Sequence, residues 1–127
     1  MASGDVFPKM LSAVTGGVTT PAPVSLNTTD TTVFTVPTGR QWAVKQIVIC
    51  NTDSIDRLVS LSFNGASTTN GNCFVNKLPI AGNDTVVLDT AFIFEVGQTL
   101  RGSTDRGANS SPASIVTVTV TGWEREI

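Results

Sequence analysis

The sequence predicts an all-β protein, an antiparallel β-sandwich with an extended N-terminal arm. Three observations carry that expectation. The C-terminal run Ser114-Ile115-Val116-Thr117-Val118-Thr119-Val120-Thr121-Gly122 alternates apolar and small polar residues at period two. In a strand this sends Val116, Val118 and Val120 to one face and Thr117, Thr119 and Thr121 to the other. Short β-branched runs recur along the chain between Gly, Pro, Asn and Asp clusters, the punctuation of turns. Beyond residue 12 no stretch carries helical periodicity. Seven to nine short strands with turns between them make a sandwich or small barrel.

Residues 1–22 read differently from the rest, and the sandwich itself is assigned to residues 23–127. The apolar cluster Val6-Phe7-Pro8-Lys9-Met10-Leu11 is interrupted by Pro8 and followed by Gly16-Gly17, a hinge or turn, and Pro21-Ala22-Pro23. Proline breaks both helix and ladder. Two readings stay open: a frayed terminus with one helical turn, or an arm that lays Val6, Phe7, Met10 and Leu11 on a neighbouring subunit or another surface. An arm of that kind could be removed without unfolding the sandwich. From there the strands follow in order. A short one covers 24–27, and 32–36 follows the turn Asn27-Thr28-Thr29-Asp30. Pro37-Thr38-Gly39-Arg40 is a tight turn into the longest strand, 41–51. Its run Ile47-Val48-Ile49-Cys50 is apolar on both faces, as in a central strand covered on both sides. Ile47 and Ile49 then need cover, which makes them interface candidates in a homo-oligomer.

Asn51-Thr52-Asp53-Ser54 turns into strand 57–63, with Val59, Leu61 and Phe63 expected inward and Leu58, Ser60 and Ser62 outward. A polar loop from Asn64 leads to strand 73–80. Ala81-Gly82-Asn83-Asp84 turns into 85–88 and then 91–94. Val96-Gly97-Gln98 precedes 99–102, and a small-residue loop over 104–112 leads to the last strand, 115–123.

Composition narrows the chemistry. The chain has 127 residues, long enough for one core without metal or disulfide. With 8 basic residues scattered singly and a formal charge of −2, it lacks the clustered cations of a nucleic-acid surface. No apolar stretch approaches the roughly 20 residues of a spanning helix, and the N-terminus has no signal-peptide pattern. Histidine and tyrosine are absent, which removes imidazole-based triads and most zinc sites. Cys50 and Cys73 read as small buried thiols, with a disulfide between them left open if they face each other on neighbouring strands. Asp53, Asp56, Asp84, Asp89 and Glu95 are the carboxylates a glycosidase scheme would need, but nearly all sit in turn sequences where Asp bonds its own backbone. The expectation is therefore no catalytic residue, no metal and no cofactor. Trp42 and Trp123, at strand ends, read as core or interface packing before a carbohydrate platform.

Two segments carry a family resemblance. The first is Gly39-Arg40-Gln41-Trp42-Ala43-Val44-Lys45-Gln46-Ile47-Val48-Ile49-Cys50-Asn51-Thr52-Asp53 with Val59-Ser60-Leu61-Ser62-Phe63. The second runs from Leu78-Pro79-Ile80-Ala81 through Val86-Val87-Leu88-Asp89 and Gly97-Gln98-Thr99-Leu100 to Val116-Thr117-Val118-Thr119-Val120-Thr121-Gly122-Trp123-Glu124. Together they resemble the small β-sandwich structural proteins of tailed-bacteriophage virions, which implies a jelly-roll-like sandwich. The resemblance implies a non-enzymatic virion building block made in the host cytoplasm. Its partners would be other copies, as a homotrimer first, and the major capsid or other virion proteins. The resemblance does not choose the position on the particle; the reading adopted is head decoration or cement. A neck, tail or fibre component with a carbohydrate-binding face is the alternative.

Overall fold

A computed structural model describes residues 6–11, 13, 14, 20–64 and 72–127, with the side chains of 6, 7, 13, 14, 20 and 21 outside that description. The Gly16-Gly17 hinge and the polar loop over 65–71 also lie outside the described residues. Among the described residues eleven strands follow one another: β1 (Val6–Met10), β2 (Ala13–Val14), β3 (Thr20–Pro21), β4 (Val24–Ser25), β5 (Thr31–Thr35), β6 (Arg40–Asn51), β7 (Arg57–Phe63), β8 (Cys73–Ile80), β9 (Thr85–Phe94), β10 (Thr99–Thr104) and β11 (Val116–Glu126).

The strands build two antiparallel sheets. One has the order β1-β11-β6-β9, with β4 also on β11, and the other the order β5-β10-β7-β8. From β4 onward every connection except β7–β8 crosses from one sheet to the other. With β1 and β4 sharing one edge of β11, that strand order is a jelly roll: eight strand positions in two layers of four, consecutive strands wound back and forth between them. A third, two-stranded ladder joins β2 to β3.

The core follows from period-two alternation. Val116, Val118 and Val120 are wholly buried, and the intervening threonines are half-buried on the outer face. Facing them from the second sheet are Val33, Val59, Leu61 and Leu100, also fully buried. Strand β6 breaks the alternation once. Thr121 pairs with Gln46 but Gly122 pairs with Val44, so Lys45 is an extra residue in the ladder. This bulge switches parity, and Trp42 and Val44 before it share the inner face with Ile47, Ile49 and Asn51 after it.

Ile47 and Ile49 therefore have no exposed surface. They are covered by the chain's own second sheet, and the interface role expected for them is corrected. The outward Val48 and Cys50 are half-buried among their strand neighbours. The N-terminal stretch is extended, as expected, but its described part is not free of the domain. Strand β1 pairs antiparallel with β11 from Val6↔Arg125 to Met10↔Thr121. Leu11 continues the line, its N–H bonding the Val120 carbonyl at 2.8 Å, and its side chain is 1% exposed. That corrects Leu11 as an interface residue and removes the helical-turn reading for 6–11. Strand β4 then resumes on the same edge, Val24↔Val118 and Ser25↔Thr117. Strands β1 and β4 are two halves of one edge strand, interrupted by an excursion that holds β2 and β3.

Strand β7 departs in one respect from the expected alternation. Ser60 and Ser62 are buried although they alternate with Val59 and Leu61. The Ser60 hydroxyl accepts a hydrogen bond from the Lys77 N–H at 3.0 Å. Small hydroxyl side chains sink below taller neighbours on a sheet face and meet backbone there.

Candidate functional site

Polar side chains gather at the two ends of the sandwich, and each gathering has a definite task. At the end where β6 finishes, Asn51 is wholly buried because it continues the inward parity of Ile47 and Ile49. Its amide nitrogen donates to the carbonyls of Ile55 (2.9 Å) and Ile80 (3.0 Å), and its oxygen accepts from the Asp53 N–H (3.0 Å). Asp53 sits on top of this hub. Its carboxylate accepts from the Arg57 guanidinium at 2.6 Å and from the Ser114 hydroxyl at 2.9 Å. Those two hydrogen bonds, Arg57 first, hold the Asp53 carboxyl down at about 2 from an ordinary 3.8. Asn83 N–H donates to the Asp53 carbonyl at 2.7 Å, and Gly82 N–H to the Asp56 carboxylate at 3.1 Å. Three loops (51–57, 80–84 and the approach to β11) are thus tied at one point.

The opposite end is closed by Glu124, 3% exposed, whose inward orientation continues the parity of Val116 to Gly122. Its carboxylate accepts from the Trp42 indole N–H at 2.8 Å and meets Lys9 Nζ at 3.2 Å and Arg40 Nε at 3.3 Å. The Lys9 ammonium also lies 5.9 Å from the centre of the Trp42 ring. One buried carboxylate joins β1, β6 and β11, with all its donors supplied by the chain. From Trp42 a line of rings crosses the core: Phe34 at 5.1 Å, then Phe94 at 4.9 Å from Phe34, then Phe63 at 5.5 Å from Phe94. It ends in Phe74 and Phe92, 4.3 and 5.1 Å from Phe63 and only half-buried.

That ring line leads to the open side of the sandwich, between β8 and β9. Val75, Leu78, Val86, Leu88 and Phe92 pack on the core there but stay partly exposed. The outer face of the β9 sheet is also weakly polar. Ile93, Ala43, Trp123 and Pro8 are register partners across four strands, and Val87 pairs with Val48. Ile93 is 57% exposed, Val87 52% and Trp123 41%. Trp123 lines a shallow hollow of about 460 Å³ with Pro8, Lys9, Lys45, Thr121 and Gly122.

The six residues singled out from the sequence do not form one surface. Met10 is half-buried on the outer face beside Thr121, Leu11, Ile47 and Ile49 are core, and Val6 and Phe7 are placed only by register, opposite Arg125 and Glu124. Sequence reasoning missed Glu124 and Asn51. The signal was available: both lie on the inward parity of their strands, where a polar residue must find partners. Asp53, Asp56 and Asp84 occupy turns, each accepting from a backbone N–H, Ser54 at 2.7 Å, Gly82 at 3.1 Å and Thr85 at 2.8 Å. Cys50 and Cys73 are free and lie in different sheets. Among the described residues no group of three or more Cys, Asp or Glu side chains is placed to hold a metal ion. Also among them, no helix is long and apolar enough to cross a membrane. Comparison with family models, curated proteins and solved structures finds no match to this chain.

Proposed function

We propose that this chain is a non-enzymatic structural protein of a tailed-bacteriophage virion, a capsid decoration or cement protein that stabilises the particle through contacts with copies of itself and with the capsid protein. The observation that carries the reading is the jelly-roll strand order in the chain whose sequence resembles that family. Capsid building is one of the roles this architecture serves, and here the support is fold analogy joined to sequence resemblance. The polar clusters agree with it. Asp53 and Glu124 spend their hydrogen-bonding capacity on closing the two ends of the sandwich, as a persistent building block needs. Oligomerisation, inferred from Ile47 and Ile49 as a trimer, loses that footing because both are core; the apolar β8–β9 margin supports self-association instead.

The test is particle-based. A labelled chain should appear on the heads of purified virions by electron microscopy. Particles lacking it should recover thermal resistance when the pure protein is added back. Absence from purified particles would end the proposal.

A second reading rests on Trp123, exposed beside Thr121 and Lys45 in its shallow hollow. An aromatic plane flanked by hydrogen-bonding groups suits a sugar ring, as in a receptor-binding fibre component. Glycan-array binding abolished by Trp123→Ala, with label on tails rather than heads, would favour that reading.

A further inference from the structure

A sandwich is unfinished at its edge strands, and the two that border the open side differ. Strand β8 is blunted against pairing: Pro79 has no N–H, and Lys77 takes a φ of 51°, which breaks the ladder geometry. Strand β9 carries neither device. Its ten residues run without proline or glycine, and among the described residues no strand pairs with its free edge. Val86, Leu88 and Phe92 on its inner face are half-buried, while Val87 and Ile93 on its outer face are more than half exposed.

We propose that β9 is the strand through which two copies of this chain join, antiparallel about a two-fold axis at Thr90, so that the β1-β11-β6-β9 sheet continues into the second copy. The register argues for a second copy over any other occupant, because β9 is complementary to itself. Directly opposed residues in an antiparallel pair share a face, so the axis must pass through a residue and not between two. With the axis at Thr90, Val87 meets Ile93 on the outer face, and Leu88 meets Phe92 and Val86 meets Phe94 on the inner face. Asp89 then lies opposite Ala91. With the axis one place earlier, two Asp89 carboxylates confront each other, and like charges directly opposed destabilise a pair. One place later, Asp89 faces Ile93. Only the Thr90 register matches apolar with apolar on both faces, and it covers the half-exposed end of the aromatic line in the same step. An isologous contact of this kind closes at two copies.

The inference stands on the strand and not on the virion reading, so the two fail separately. Sedimentation velocity of the full chain over a dilution series should show a dimer. Ile93→Lys or Val87→Lys should weaken it about ten-fold or more with native far-UV dichroism, since each substitution acts twice across the axis. Register is tested by mixing two variants. Asp89→Cys chains mixed with Ala91→Cys chains should form a disulfide-linked heterodimer on oxidation, reversed by reductant. Neither variant alone, nor the wild type with Cys50 and Cys73, should cross-link comparably. A monomer at every concentration, a dimer indifferent to both lysines, or no preference for the mixed pair would overturn the proposal. A dimer that is sensitive to Trp123→Ala alone would move the contact to the outer face and overturn it as well.

Discussion

Single side chains close this molecule, and Asp53 shows how. The Arg57 and Ser114 hydrogen bonds that hold its carboxyl at about 2 favour the ionised form in the folded state. A depressed carboxylate contributes its stability in full above the unfolded value, and that contribution is lost as pH falls through the folded one. Thermal unfolding of the wild type should therefore weaken between about pH 4 and about pH 2 more steeply than that of Asp53→Asn. Parallel profiles would show that the carboxylate makes no such contribution. At the other end Glu124 is nearly inaccessible and its carboxylate meets three donors. Lys9 and Arg40 remain partly solvated when it is removed. The cost of Glu124→Ala is then set by lost charged hydrogen bonds, about 2–3 kcal/mol by urea denaturation. Trp42→Phe keeps an edge-on ring against Phe34 and loses one donor to a charged acceptor, at about 1.5 kcal/mol. Equal costs for the two would place the energy in the indole contact alone.

At the scale of elements, the strands were mostly legible and the faces less so. Strands over 57–63 and 73–80 fall where the residue pattern puts them, and the alternation of Val116 to Thr121 becomes burial one for one. Strand β9 runs through Asp89 and Thr90, where the polar pair suggests a break, because the Thr90 hydroxyl bonds the Val44 carbonyl at 2.8 Å at the bulge. Pro8 disguises β1: it costs a donor, which an edge strand tolerates. The bulge at Lys45 has no local signature beyond its partner, Gly122, where a Cβ would overlap the Ala43 carbonyl oxygen. Gly122→Ala should accordingly cost about 2 kcal/mol or more and disturb the Lys9–Glu124 contact. Strand β1 changes the outcome of truncation. Removing residues 1–16 deletes Leu11 from the core and Lys9 from Glu124, so the shortened chain should unfold at markedly lower urea, with Leu11→Ala alone costing about 2–4 kcal/mol. An unchanged midpoint would mean that the stretch is dispensable after all.

Across the whole molecule, the crossing connections make the two sheets one cooperative unit. Neither layer can form without segments that belong to the other, so Leu61→Ala, in one sheet, should lower the stability of both together in a single transition. Tryptophan fluorescence reports the β6 and β11 sheet, and far-UV dichroism reports all strands; coincident curves are the expected result. The same topology explains why the candidate assembly surface was not legible in the residues. Whether Ile47 or Val87 faces outward depends on which strand is central and which is at the edge. That order is set by pairings remote in sequence, such as Ile47 with both Val120 and Leu88. Pattern alone gives two faces to each strand and leaves their neighbours undecided.

The interrupted edge strand has a use that the fold itself does not need. Leu11 and Val24 are each clamped to β11 independently, next to Val120 and Val118, so the chain leaves and re-enters the sheet at almost the same place. Between them β2 and β3 pair only with each other among the described residues, so the excursion adds no strand to either of the two large sheets. A foreign peptide inserted in that excursion would therefore be carried as a passenger, anchored on both sides to one strand. The domain becomes a display scaffold whose insertion point is held on both sides by β11.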